Sequence, residues 1–193
     1  MGVLIIAEHN NQTLSPSILP VVTAAKQLSD KVTVLVAGHD CVAVANQASS
    51  VEGVTHVCLA EAEYFQHHLA EEFAPLIIEQ VNGDLEYLMA PSSTFGKNLM
   101  PRVAALLDVA QISDIINIKS ADTFVRTTYA GNVLATVQTQ DPIKVITVRA
   151  SAFEPARQGD KQSEIESITV TPKTGLSAFH AREVTKTERP DLN

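Results

Sequence analysis

Residues 85–108 read LEYLMAPSSTFGKNLMPRVAALLD, and this stretch restricts the possible folds more than any other. Residues 85–90 form a short apolar run suited to a buried strand. Pro91 breaks it, and the hydroxyl residues Ser92, Ser93 and Thr94 follow. Phe95, Leu99, Val103, Leu106 and Leu107 then recur at helical spacing. Thr94 is the expected N-cap, because its oxygen can accept from an unpaired amide of the first turn. Pro101 removes a backbone donor early in that helix and predicts a kink. Strand, polar turn and helix together build the ligand-binding edge of an open α/β sheet, where free amides meet the strand's carboxyl end.

The preceding chain repeats the pattern. Residues 3–7, 32–37 and 56–60 are β-branched or apolar runs of strand length. Helical spacing is expected over 14–28, with Ser15 as cap and Pro16 at the first position, over 41–48, and over 64–81. Such alternation predicts a parallel sheet covered on both faces. After Asp108 the rhythm changes: residues 112–118, 123–128, 133–138 and 144–149 are strand-like with only turns between them. Ala130, Gly131 and Asn132 mark a turn, so 123–138 should be an antiparallel hairpin with Phe124, Val133, Ala135 and Val137 on one face. Residues 165–171 and 176–184 are candidate edge strands. The expected fold is a three-layer α/β/α with a mostly parallel sheet and an antiparallel β-rich C-terminal part. Residues 1–184 should form a single α/β domain, and 185–193 read as the start of a linker.

Composition narrows the function. With 19% charged residues, net charge −8 and a pI near 5.2, the chain lacks the basic stripe of a nucleic-acid surface. No apolar run reaches the length of a membrane span, and the N-terminus has no signal-peptide pattern, so membrane insertion is not expected and a cytoplasmic location is. Cys41 and Cys58 lack metal-ligand spacing.

Gly96, Lys97 and Asn98 invite comparison with a phosphate loop, but Pro91 stands where its first glycine would be, and Asn98 where a magnesium-holding hydroxyl belongs. A weaker anion or nucleotide loop would use Ser92, Ser93, Thr94, Gly96 and Lys97; the plainer reading is a turn, a cap and a close-packed glycine. If strand one neighbours strand four, Glu8 and His9 flank the topological switch point, though adjacent residues point apart and a solvated rim is the simpler expectation. His67 and His68 share no helix face and make a poor metal pair. His56 and His180 show no evident partners, and Glu71 and Glu72 read as helix-surface charges. No GxSxG, CxxC or HExxH motif is present, so neither catalytic residues nor a metal site are expected.

APSSTFGKNLMPRVAALLDV followed by QISDII, the opening VLIIAEHN, VTVLVAG, and the later YAGNVLATVQ and KVITVRASAF resemble the N-terminal domain of electron-transfer flavoprotein alpha subunits, in the same order. The resemblance implies an adenine-nucleotide-hydrolase-like fold that serves as a scaffold. It implies an intact heterodimer with a beta subunit and one FAD, held mainly by a C-terminal domain that opens with a strand and an SGGRG-like turn. This chain stops where that strand would begin, so no FAD is expected within it. The heterodimer would carry electrons from acyl-CoA and related dehydrogenases, as in fatty acid beta-oxidation, to a quinone oxidoreductase. The alternative is a stand-alone AMP- or ATP-binding module using the 92–97 loop.

Overall fold

The computed structural model describes residues 2–183. Alternation along the first strand explains the layering. In β1 (Gly2–Ile6), Val3 and Ile5 face one core while Leu4 and Ile6 face another, and all four are buried. A strand apolar on both faces must be covered on both. α1 (Ile18–Lys26) and α2 (Val42–Ser49) cover the first face, through Val21, Val22, Val44 and Ala45. α3 (Ala70–Glu79) and α4 (Thr94–Leu106) cover the second, through Phe73, Leu76, Ile77, Leu99 and Val103.

The remaining strands are β2 (Val32–Gly38), β3 (His56–Glu61), β4 (Leu85–Pro91), β5 (Gln111–Ser120), β6 (Thr123–Thr128), β7 (Val133–Gln138), β8 (Lys144–Val148) and β9 (Glu164–Ser167). They form one nine-stranded sheet in the order β7-β6-β5-β8-β4-β1-β2-β3-β9. Pairing is parallel from β5 through β8, β4, β1, β2 and β3 to β9, and antiparallel in β5-β6-β7. The expected mostly parallel α/β/α architecture with an antiparallel C-terminal part is therefore present. β1 lies between β4 and β2, which puts the topological switch point between the carboxyl ends of β1 and β4.

Several local expectations are corrected. α4 is capped by Ser93, whose hydroxyl accepts from the Gly96 amide at 3.4 Å, one residue before the expected Thr94, and it continues through Pro101. α1 begins at Ile18, because Ser15 and Ser17 bond each other and Ser17 donates to Glu8. The helix expected over 64–81 is split into a 3-10 turn at Glu63–Phe65 and α3, with His68 at φ 52° between them. Residues 176–183 are not a strand; residue 184 and the linker expected over 185–193 lie outside the described residues.

The β6–β7 hairpin has the expected register: Phe124 pairs with Val137, Arg126 with Ala135 and Thr128 with Val133, so these side chains share a face. Its two ends differ. Phe124 is fully buried and Val137 packs against the first core, whereas Val133 is 45% exposed, Leu134 67% and Tyr129 81%. The distal end overhangs the core, and β7 is an uncharged edge strand.

Candidate functional site

At the switch point β4 ends in Pro91, and the Ser92 amide donates to the Val148 carbonyl of β8 at 2.7 Å. The turn must be tight there because α4 starts almost at once. Gly96 allows it: a Cβ at that position would lie 2.0 Å from the Pro91 carbonyl oxygen. Thr94, Lys97 and Asn98 are exposed, Ser93 serves the cap, and the Ser92 hydroxyl is buried without a well-aligned hydrogen bond.

A carboxylate already occupies the neighbourhood where this loop would meet an anion. Asp114 of β5 stands at φ 60° and accepts from Arg149 in a bidentate pair, with Nε 3.2 and 3.1 Å from its two oxygens, while Arg149 also reaches Thr127 at 2.8 Å. Partial burial opposes the charge on Asp114. The Arg149 hydrogen bond, a contribution from Ser92, and the Arg149 and Lys97 charges outweigh it and hold the carboxyl below its usual value. The chain thus supplies its own anion to Arg149.

On the other side of β1, the end facing β2 holds a buried group. His9 leaves β1 turned inward and is buried, with Nε2 3.0 Å from the Ala37 carbonyl and Nδ1 accepting from the Asn11 amide at 3.0 Å. Those partners require the neutral ring with its proton on Nε2. His68 packs edge-on to it at 4.6 Å between centroids, and also against Phe73 and Phe95. The buried Nε2 of His68 has no hydrogen-bond partner among the described residues. Burial, with the charge of His68, pushes His9 down to about 4; burial, with the charge of His67, does the same to His68. His9 is therefore no solvated rim. Glu8 turns the other way, to Ser17.

His67 and His68, expected at neighbouring positions of a helix, lie instead in the turn before α3, where His67 stacks on Phe179 with ring centroids 3.7 Å apart. His56, read as partnerless, pairs with Glu166 at 3.0 Å. Glu72, read as a surface charge, is buried. Sequence reasoning missed the Asp114–Arg149 pair; an isolated Asp inside the apolar QISDII run was the only signal. Among the described residues no three His, Cys, Asp or Glu side chains are grouped to hold a metal. Nor is any helix among them long and apolar enough to cross a membrane. Two open hollows, at Val51–Thr55 with Gly159–Ser163 and at the amino edge around Lys31, His56 and Glu166, lie away from the switch point.

Fold and site together define a doubly covered α/β domain whose sheet order places a topological switch point between β1 and β4. Residues 3–173 match the electron transfer flavoprotein domain, and the chain belongs to that family. It is 45% identical to the electron transfer flavoprotein subunit alpha of Pseudomonas aeruginosa, across 100% of this chain and 62% of that protein. Identity is 42% to the Paracoccus denitrificans alpha subunit, over 100% of this chain and 62% of the relative. It is also 42% to the probable mitochondrial alpha subunit of Caenorhabditis elegans, over 98% and 57%. The chain thus spans about 60% of the length of these curated relatives, and the resemblance drawn from its sequence blocks holds.

Proposed function

We propose that residues 1–184 are the N-terminal scaffold domain of an electron transfer flavoprotein alpha subunit, with 185–193 opening a linker toward a flavin domain. The observation that supports this reading is the match of residues 3–173 to the electron transfer flavoprotein domain, in a chain that spans about 60% of its alpha-subunit relatives; beside it, the neighbourhood of the β1 and β4 ends holds self-paired groups, with His9 on the Ala37 carbonyl and Asp114 on Arg149. On this reading FAD of the intact protein is bound mainly outside this chain and supplies the redox chemistry. The domain's own work is mechanical. It presents the exposed β6–β7 end to a beta subunit and forms the base on which the flavin domain rests. The intact heterodimer accepts electrons from acyl-CoA and related dehydrogenases in fatty acid beta-oxidation, and passes them to a quinone oxidoreductase, in the cytoplasm. The chain performs no covalent catalysis.

An absorbance spectrum tests the assignment of the cofactor. The purified chain should be colourless, and the same chain extended by a flavin domain and co-expressed with beta should carry one flavin. Stoichiometric flavin absorbance from the chain alone would overturn the scaffold reading.

A further inference from the structure

Residues 168–179 leave the β9 end of the sheet and cross the first turn of α3 without regular secondary structure. Ile168 donates to the Leu59 carbonyl at 2.9 Å, and Ile168 and Val170 pack on the second core. Beyond them, among the described residues, the hydrogen bonds that fasten the segment to the domain come from Tyr64 and α3. The Tyr64 hydroxyl donates to the Thr171 carbonyl. Glu72 accepts from the Thr174 amide at 2.7 Å, the Thr174 hydroxyl at 2.9 Å and the Gly175 amide at 3.0 Å. Gly175 takes φ 66°, the left-handed turn that brings consecutive amides onto one carboxylate. Glu71 accepts from Ser177 at 3.0 Å and pairs with Arg102 of α4 at 3.6 Å. Phe179 lies flat on His67, with 15° between the rings.

Glu72 is 1% exposed, and the hydrogen bonds its carboxylate accepts come from this strap. Burial opposes its charge, but the Thr174 and Gly175 donors outweigh that and hold its carboxyl below the usual value. A buried carboxylate at a helix's first turn, satisfied from outside the helix, is suited to holding a second segment in place.

We propose that Glu72, seconded by Glu71, is a clasp that pins residues 171–179 across the start of α3 and so sets the course of this segment over the domain. That crossing lies over the carboxyl edge of the sheet, because β9 runs parallel to β3 and the 62–69 loop beneath the strap reaches Asn11 at the end of β1. The clasp opens as a local unit: its contacts gather around the start of α3, with Glu72 taking most of the hydrogen bonds, and the sheet beneath keeps its own ladder. The inference does not depend on the cofactor assignment, since it concerns only contacts within this chain.

Hydrogen exchange on the full chain, resolved by mass spectrometry over 172–177, tests it beside the rate of tryptic cleavage at Lys173. In Glu72→Ala, exchange over 172–177 should rise about tenfold or more, the effect of losing hydrogen bonds to a charged acceptor. Cleavage at Lys173 should accelerate, while β1 and β4 amides keep their protection. Glu72→Gln, which retains an accepting oxygen, should fall between. Thr174→Ala removes a donor without altering α3, and a smaller but still local acceleration is expected; it carries the test if Glu72→Ala fails to fold. Unchanged exchange over 172–177 in these variants would overturn the clasp. So would acceleration by the same factor in β1 and β4, since Glu72 would then support the whole fold and not the strap.

Discussion

Lowering the pH from about 7.5 to about 5 should destabilise this domain through two imidazoles, well before its carboxylates protonate. His9 and His68 are held near a pKa of about 4 in the fold, against 6.5 in the unfolded chain. The unfolded state therefore binds more protons between those values. The stability that depends on neutral imidazoles is complete above about 6.5 and is lost progressively as the pH falls toward 4. At pH 5 the difference amounts to about 2 kcal/mol per ring. Geometry gives the same sign. Protonated Nδ1 of His9 would turn a donor against the Asn11 amide, and a charged His68 would sit between Phe73 and Phe95, 4.6 Å from His9. Urea unfolding followed by circular dichroism across this range, beside His68→Asn, isolates the effect. Asn tolerates the φ of 52° and does not titrate. The variant should lose about half as much stability as the parent over the same interval. Parallel stability curves, or ring-proton titrations placing both pKa values near 6.5, would refute the reasoning.

Gly96→Ala should cost on the order of 3 kcal/mol or more of unfolding free energy, because its Cβ meets the Pro91 carbonyl, a backbone atom that α4 and β4 hold in place; a melting temperature unchanged by the substitution would contradict that packing. Calorimetric titration with AMP or ATP should show no micromolar site. Tight binding lost on Lys97→Ala and Ser93→Ala would favour the stand-alone nucleotide module instead.

The sheet was legible because its strands are apolar on both faces: Val3 to Ile6 and Leu88 to Ala90 permit only a doubly covered position. The hairpin was legible from alternation and the Ala130–Asn132 turn, since a period of two fixes which side chains share a face. What escaped notice depends on contacts distant in sequence. The break before α3 requires His68 to enter the left-handed region while filling a space bounded by His9, Phe73 and Phe95; helical spacing over 64–81 carries no trace of that. Glu72 looks like its neighbour Glu71 until a segment a hundred residues later folds over it. Asp114 and Arg149 are likewise joined only when β5 and β8 pair. The 92–97 loop was recognisable as a strand-to-helix turn, but the carboxylate beside it and the ring cluster of His9, His68, Phe73 and Phe95 were not.

The most direct test of the scaffold account is assembly with a beta subunit of the family, measured by sedimentation beside thermal unfolding of the free chain. The purified chain should form a one-to-one complex. Val133→Lys with Leu134→Lys should weaken it about tenfold or more while leaving the melting temperature of the free chain within a degree or two, because both positions are already exposed, by 45% and 67%. Failure of the parent chain to bind beta, equal binding by the double variant, or a large fall in its melting temperature would contradict the account.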